Sequence, residues 1–581
     1  MNDEISHLTA GAAALLAETD ERRIRAIRSR RWVLYPRAKQ ALDRLSGLLD
    51  HPRGTRMPSV AIYGDSGMGK TMIMKRFRDQ HPPSFNPLTG TLKTPVLAME
   101  MTSRPGERRF YAELLTLLGA PQRPRADIAQ MEQAALRIME AIGVQVLVID
   151  EVHNILAGTY REQRIVLNTL RFLSNRLQIS LVCFGVNEAR EAISGDVQLA
   201  RRFEQFTLSR SGCERTVRDP GSVNPAQYAA ASAFGAHPEI AAAYAADHRG
   251  YHRQHFPHDQ QPRGRRHRER TRTHHRRSGR ELGTGIRCRG GIRMMENTPP
   301  RQLPVRLPPH CDELLSSWIS RHAAFYAVPP LVMLRHCLPE ASSLRAADLQ
   351  LSSDQEIRLA NMFATEPTVM RRMTFANVAQ SSLRLISAQP TQVCTNCSPG
   401  HTEPAPVLRS QLLGWRITCP LCGSQLRDPG GRELPSPFRQ YCAAALRGEK
   451  LLDDEAERGI GTWASPADIA RLLLMRRIPI PIPREHDLWR FRVLGAIIPD
   501  LDHVIAEQQE NLPTPAKPIL PLHLRPALLA GVAIVERVGP EMLRMLRGHM
   551  MGDNRVRFTD AAENMIARAR RSRASSQMQL I

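Results

Sequence analysis

Residues Gly64-Asp65-Ser66-Gly67-Met68-Gly69-Lys70-Thr71 follow the pattern G-x-x-x-x-G-K-[ST], whose backbone N–H groups can cradle the phosphates of a nucleotide. In that arrangement Lys70 reaches the β- and γ-phosphates, and the Thr71 hydroxyl binds Mg²⁺. A second set lies at Asp150-Glu151, where Asp150 would hold Mg²⁺ through water and Glu151 would polarise the water that attacks the γ-phosphate of ATP. Asn187 is either a γ-phosphate sensor or a plain turn residue after a strand. In Leu199 to Phe203 an arginine could serve a neighbouring subunit's nucleotide, since phosphoryl transfer gains strongly from a cation at its transition state. Arg202 is preferred to Arg201 for that task, with a surface ion pair as the alternative. The third set is Cys394-x-x-Cys397 and Cys419-x-x-Cys422, two chelating pairs 21 residues apart. Four thiolates suit a tetrahedral Zn²⁺ that is structural, with no position left for water. The gap is slightly longer than the ~15–20 residues usual for such sites. His401 and Cys442 lie nearby in sequence and read as bystanders.

The elements around the first two sets are where this chemistry needs them. Val60 to Tyr63 predicts a buried strand entering the glycine-rich loop, and Thr71 to Phe77 a helix leaving it. That helix points its N-terminus, the positive end of its dipole, at the phosphates. Val146 to Ile149 is a run of four apolar residues, a buried strand that delivers Asp150 and Glu151 at its C-terminal edge. Further strands are expected at Val96 to Met101, Ile179 to Phe184 and around Phe206 to Leu208. Helices are expected at Ala41 to Leu49, Glu107 to Leu118, Asp127 to Ile142 and Arg161 to Asn175. Residues 51–210 therefore read as an α/β P-loop core with a parallel sheet.

The 581-residue chain is long enough for several domains, and its net charge of +23 makes nucleic acid the default partner. The N-terminus MNDEISHLTA is acidic and lacks a secretory signal pattern, and no apolar run approaches the ~18 residues of a membrane span. The expectation is a soluble, cytoplasmic protein with no membrane contact, its ten cysteines reduced and free for metal. Two basic runs, residues 22–31 and Arg568 to Arg573, read equally well as solvated faces or as DNA contacts.

Residues 211–293 are unlike the rest. They hold 16 Arg, no Lys, one Leu and 7 acids, a net +9. A segment so poor in aliphatic residues cannot build a core. A metal-binding His tract and a nucleic-acid tail are two readings, and a shifted reading frame is the preferred one. One back-translation of His267 to His275, moved by one base, gives Ile-Glu-Ser-Gly-Arg-Glu-Arg-Ile, an ordinary helix-and-turn sequence. Independently of codon choice, Met294-Met295 must be ATGATG, which contains TGA in that same frame.

Arg56-Met57-Pro58, the GDSGMGKT loop, LVIDEVHNIL and QLARRFE together resemble TniB, an AAA+ ATPase subunit of bacterial transposition, over residues 1–210. The resemblance implies a self-associating, ATP-dependent regulator that assembles on DNA and delivers a separate transposase to target sites. It also implies a helical lid after the last strand, and no lid-like sequence follows. Weak or absent turnover is the expected result. From Met294 the chain resembles TniQ, a transposition targeting protein, through LPVRLPPHCDELLSSWISR, the paired knuckles and Gly414-Trp415-Arg416 between them.

The expected organisation is a helical, basic segment over 1–50 and the ATPase core over 51–210. A disordered, out-of-frame linker over 211–293 replaces the lid. A mostly helical domain with a four-cysteine zinc knuckle spans 294–440. A helical region over 441–581 has room for a helix-turn-helix between Pro-rich breaks. Strand transfer is left to the separate transposase, because no nuclease core is recognisable. Two alternatives share the motifs up to Arg202: a helicase-loader-like DNA ATPase, and a catalytically idle DNA adaptor.

Overall fold

The computed structural model describes residues 34–194 save 124, then 200–208, 302–397, 405–430, 436–478, 490–508, 512–550 and 552–578, with a few residues before 34. The reading-frame and lid question at 211–293 lies outside the described residues, as does most of the Pro-rich break at 478–483. The chain divides into two compact units. One draws on 1–80, 148–153 and 180–299, the other on 81–147, 154–179 and 300–581.

The N-terminal elements in chain order are α1 (Pro36–Leu49), β1 (Ser59–Tyr63), α2 (Lys70–Gln80), β2 (Ser84–Asn86), β3 (Thr91–Lys93) and β4 (Val96–Glu100). They continue with α3 (Glu107–Leu117), α4 (Ile128–Ala141), β5 (Val146–Asp150), α5 (Tyr160–Leu177), β6 (Ser180–Gly185) and β7 (Phe203–Thr207). Five strands form one sheet in the order β4-β5-β6-β1-β7. β1 pairs in parallel with both β6 and β7, Tyr63 standing beside Gly185 on one side and Thr207 on the other. Every residue of β1, β5 and β6 is buried, which is why these strands read as continuous apolar runs rather than alternating ones. Parallel pairing brings the C-terminal strand ends to one edge, where open α/β sheets bind their ligands. This is the α/β core with a parallel sheet, entered by the glycine-rich loop after β1, that the sequence predicts.

The helices follow from their apolar spacing. α1 buries Ala38, Ala41, Leu42, Leu45 and Leu48 along one stripe. α5 opens with a reciprocal capping box, Thr159 Oγ1 accepting from the Glu162 N–H while the Glu162 carboxylate accepts from the Thr159 N–H. The antiparallel hairpin β2–β3 has no counterpart in the sequence reading. Its two arms are three residues each, too short to set up a period-two pattern.

Beyond residue 300 the chain is mostly helical: α6 (Leu315–Phe325), α7 (Pro330–Cys337), α8 (Ser353–Phe363), α9 (Cys442–Arg458), α10 (Pro466–Leu473), α11 (Arg525–Val538), α12 (Pro540–Arg547) and α13 (Gly552–Met578). One apolar cluster joins Phe375, Leu413 and Trp415 to Ala445, Leu452 and Leu529. A second joins Leu473 and Leu494 to Leu528, Val532, Leu543 and Phe558. α11 serves both, Leu529 facing the first and Leu528 the second. A Cβ on Gly448 would lie 2.0 Å from the Leu529 carbonyl oxygen, so α9 and α11 touch backbone to backbone there. Among the described residues no helix is long and apolar enough to cross a membrane.

His322 lies in the last turn of α6, fully buried. Its Nε2 accepts from the Leu307 N–H at 2.9 Å, and its Nδ1 lies 2.9 Å from the Trp318 carbonyl oxygen. Both contacts are satisfied only by the neutral ring with the proton on Nδ1. Burial accordingly pulls its pKa down to about 4. The folded state resists a proton that the unfolded chain takes up near pH 6.5, so this contribution is complete above pH 6.5 and lost as pH falls towards 4. The loss should reach roughly 3 kcal/mol by about pH 4. Urea unfolding followed by tryptophan fluorescence at about pH 7 and pH 4 checks it. His322→Gln should be less stable at neutral pH and show a flatter pH dependence than the native chain.

Candidate functional site

The glycine-rich loop closes tightly on the end of β1. The Gly64 N–H donates to the Gly185 carbonyl at 3.2 Å, tying the loop's first residue to the end of β6. Gly67 and Gly69 both take φ of +84°, a backbone region that side chains rarely enter, and this turns successive N–H groups to one side. α2 begins at Lys70, and its first-turn N–H groups have no acceptors within the helix. Lys70 is buried, its ammonium donating to the Gly64 carbonyl at 2.6 Å and the Asp65 carbonyl at 3.0 Å. The cation therefore lies folded over the loop that it would leave for a phosphate. Ser66, Gly67 and Met68 complete the loop, and the Met68 carbonyl accepts from the Tyr35 hydroxyl at 2.9 Å.

The two acidic positions meet this loop. Thr71 Oγ1 donates to Asp150 Oδ2 at 2.9 Å across 79 residues of chain, and Asp150 is almost wholly buried. A hydroxyl and a carboxylate are hard oxygen donors of the kind Mg²⁺ takes, so the pair fits that ion. Asp150 Oδ1 accepts from the Glu151 N–H at 2.9 Å. Glu151 itself adopts φ of +54°, which swings its half-exposed carboxylate out of the strand direction. Its Oε2 lies 3.0 Å from His153 Nδ1. Asn187 Nδ2 donates to Asp65 Oδ1 at 3.3 Å, so this side chain stands at the loop. Lys70, Thr71, Asp150 and Asn187 thus converge with the loop on one edge of the sheet.

Arg202 is at the other edge. Its carbonyl accepts from the Ser59 N–H at the start of β1, a full strand length from the loop that follows Tyr63. It is not part of the site in its own chain. Tyr35 and His153 are contacts that sequence reading missed. No motif joins Tyr35 to a loop 33 residues on, and His153 carries a signal only in standing two residues after Glu151.

The four cysteines are gathered as their spacing predicts. The sulfurs of Cys394, Cys397, Cys419 and Cys422 all lie within 4.8 Å of one another, and Cys394 and Cys422 Sγ are 3.5 Å apart. Four thiolates on one Zn²⁺ at ~2.3 Å would stand ~3.8 Å apart, so the cluster is compatible with that ion. The second knuckle turns through Gly423 at φ +74°, with the Cys419 N–H donating to the Ser424 carbonyl at 2.8 Å. Hydrogen bonds from Ser424 pull the Cys422 thiol down to about 6, while Cys397, facing Cys422, is pushed up to about 12.

Two buried charges hold the second knuckle, and neither was visible in the motif. Glu449 of α9 accepts from the Ile417 and Thr418 N–H groups, both at 2.9 Å, and from the Thr418 hydroxyl at 2.8 Å, immediately before Cys419. Arg525 of α11 is completely buried, donating to the Arg416 carbonyl, to Gln392 Oε1 at 3.0 Å and to the Leu520 carbonyl at 3.1 Å. Burial lowers its pKa, and the charge of Glu449 works against that shift.

Residues 23–212 match the family model described as bacterial TniB protein, and residues 304–441 match the TniQ model. No curated protein matches the chain. Similar solved structures include Cdc6p of Pyrobaculum aerophilum, at 16% identity and a TM-score of 0.24, covering 32% of this chain and 49% of that one. The ORC2 protein of Aeropyrum pernix gives 15%, 0.24, 33% and 52%. The ORC1 protein of Aeropyrum pernix in complex with DNA gives 14%, 0.24, 37% and 62%. The chain thus spans about half to three-fifths of the length of these structures. One polypeptide thus joins a segment that matches the TniB model and carries the glycine-rich phosphate loop to a segment that matches the TniQ model and carries the four-cysteine cluster.

Proposed function

We propose that this chain is an ATP-dependent regulator of DNA transposition that assembles on DNA and, through its TniQ segment, directs a separate transposase to target sites. The observation that carries the ATPase part is the Thr71–Asp150 hydrogen bond, which brings loop, helix N-terminus and acidic strand end to one point. When ATP and Mg²⁺ bind, the ion supplies charge neutralisation between the phosphates. The loop's N–H groups and Lys70 take the phosphate oxygens, Thr71 and Asp150 hold the ion, and Asn187 stands beside Asp65 to register the terminal phosphate. Glu151 is the base that orients water. Its carboxylate must first leave His153, so the geometry here precedes the reacting one. Arg202 acts on the nucleotide of a neighbouring subunit, which supports self-association on DNA as the active form. With no lid-like sequence after the last strand, binding is expected to be sound and turnover slow.

Single-turnover ATP hydrolysis with and without DNA tests this reading. Glu151→Gln should keep nucleotide affinity and lose hydrolysis by ~100-fold or more, the usual effect of removing a general base. Equal rates in the two proteins would favour an adaptor for which ATP is a structural ligand. Arg202→Ala should leave ATP binding by a dilute chain unchanged and lower the rate only at concentrations where the protein assembles.

The cysteine cluster is proposed to hold one structural Zn²⁺ that organises the target-selection segment. Metal analysis should give one zinc per chain, falling to none in Cys419→Ser. Chelation should lower the melting temperature of the native protein and leave that of the variant unchanged.

A further inference from the structure

The extended segment Leu303 to Leu307, at the start of the TniQ match, uses its two backbone edges differently. Its odd-numbered residues bond inward. The Leu303 N–H donates to the Met362 carbonyl, Val305 exchanges both of its backbone groups with the Tyr326 hydroxyl at 3.0 and 2.9 Å, and the Leu307 N–H donates to His322. Its even-numbered residues bond the other way, to the β2–β3 hairpin of the TniB match. The Leu92 N–H donates to the Pro304 carbonyl at 2.9 Å and the Arg306 N–H to the Gly90 carbonyl at 3.0 Å. Thr91 and Val305 are bridge partners between these bonds, and both are buried. The Arg306 guanidinium lies 4.1 Å from the centre of the Phe85 ring. Gly90 fits twice over: its φ is +64°, and a Cβ would lie 2.3 Å from the Arg306 carbonyl oxygen.

A strand whose inner edge is satisfied by its own helices and whose outer edge is met by another segment's hairpin is the geometry of strand addition. We infer that the β2–β3 hairpin is the docking element by which the TniB segment holds a TniQ segment, and that this grip is non-covalent and independent of residues 211–293. The occupant is the strand Leu303 to Arg306, extended by a second contact from Arg137 Nη1 to the Ala324 carbonyl at 3.1 Å. The inference rests on strand geometry and stands whether or not the chain turns over ATP.

The test uses the full chain with a site-specific protease sequence inserted within 211–293. After cutting, the two halves should co-elute in gel filtration, and Arg306→Pro, which removes the one N–H donated to the hairpin, should make them separate. Native halves that separate, or Arg306→Pro halves that stay together, would overturn the inference. Thr91 and Val305 form a non-hydrogen-bonded antiparallel pair, the closer of the two kinds, so the second measurement needs no cutting. In the full chain Thr91→Cys with Val305→Cys should cross-link on mild oxidation, mapped by mass spectrometry, and Thr91→Cys with Leu307→Cys should not. Equal cross-linking by both pairs, or none by the first, would also overturn it.

Discussion

The end of the sheet that carries the glycine-rich loop depends on one hydrogen bond, from Thr71 to Asp150. It joins the helix that follows the phosphate loop to the end of a different strand, and both groups are the ones a magnesium ion would share. Its position is fixed by parallel pairing. β1 and β6 run side by side, so the residue after Tyr63 and the residue after Gly185 must emerge together. Once the five strands are in register, Lys70, Asp150 and Asn187 have no freedom to be elsewhere. The fold is in this sense the first step of the chemistry, because it places charge and oxygen donors before any ligand arrives.

The cysteine cluster is built on a different logic. Its ligands come from two short turns with little core of their own: among the described residues, Leu426 is buried with Cys394 and Cys419, and the half-buried Leu522 packs against them. Rigidity is imported from α9 and α11. Glu449 and Arg525 reach the backbone just before Cys419 from helices outside the 304–441 family match. A buried carboxylate that accepts three hydrogen bonds and a buried guanidinium that donates to carbonyls fix the knuckle's orientation as covalent links would. Loss of either partner would leave a charge in the core, where it is costly.

Much of this was legible in the chain. Asp150 and Glu151 stood out because four apolar residues run directly into two carboxylates, and the cysteines because paired C-x-x-C spacing has few other uses. Helix α4 and the second half of α1 were readable from apolar spacing. What could not be read are pairings between distant residues that carry no local pattern: Tyr35 with Met68, Arg525 with Arg416, and Glu449 with Thr418. The β2–β3 hairpin escaped for another reason, since Ser84 to Asn86 and Thr91 to Lys93 are too short to show a period. Arg202 illustrates the opposite case. Its residue type suggested a role, and only the strand direction shows that any such role is played outside its own site.

The strand Leu303 to Leu307 is followed directly by Pro308 and Pro309 and contains Pro304. Of the residues that face outward along this edge, Pro304 and Pro308 have no N–H to give, and Arg306 alone can donate. An exposed strand edge is ordinarily a template on which further chains can stack without limit. Here the prolines restrict the edge to a single bridge, so it accepts one hairpin and cannot propagate into a growing sheet. A chain with the ordered assembly proposed above would thereby be protected, at this edge, from the disordered assembly that leads to aggregates.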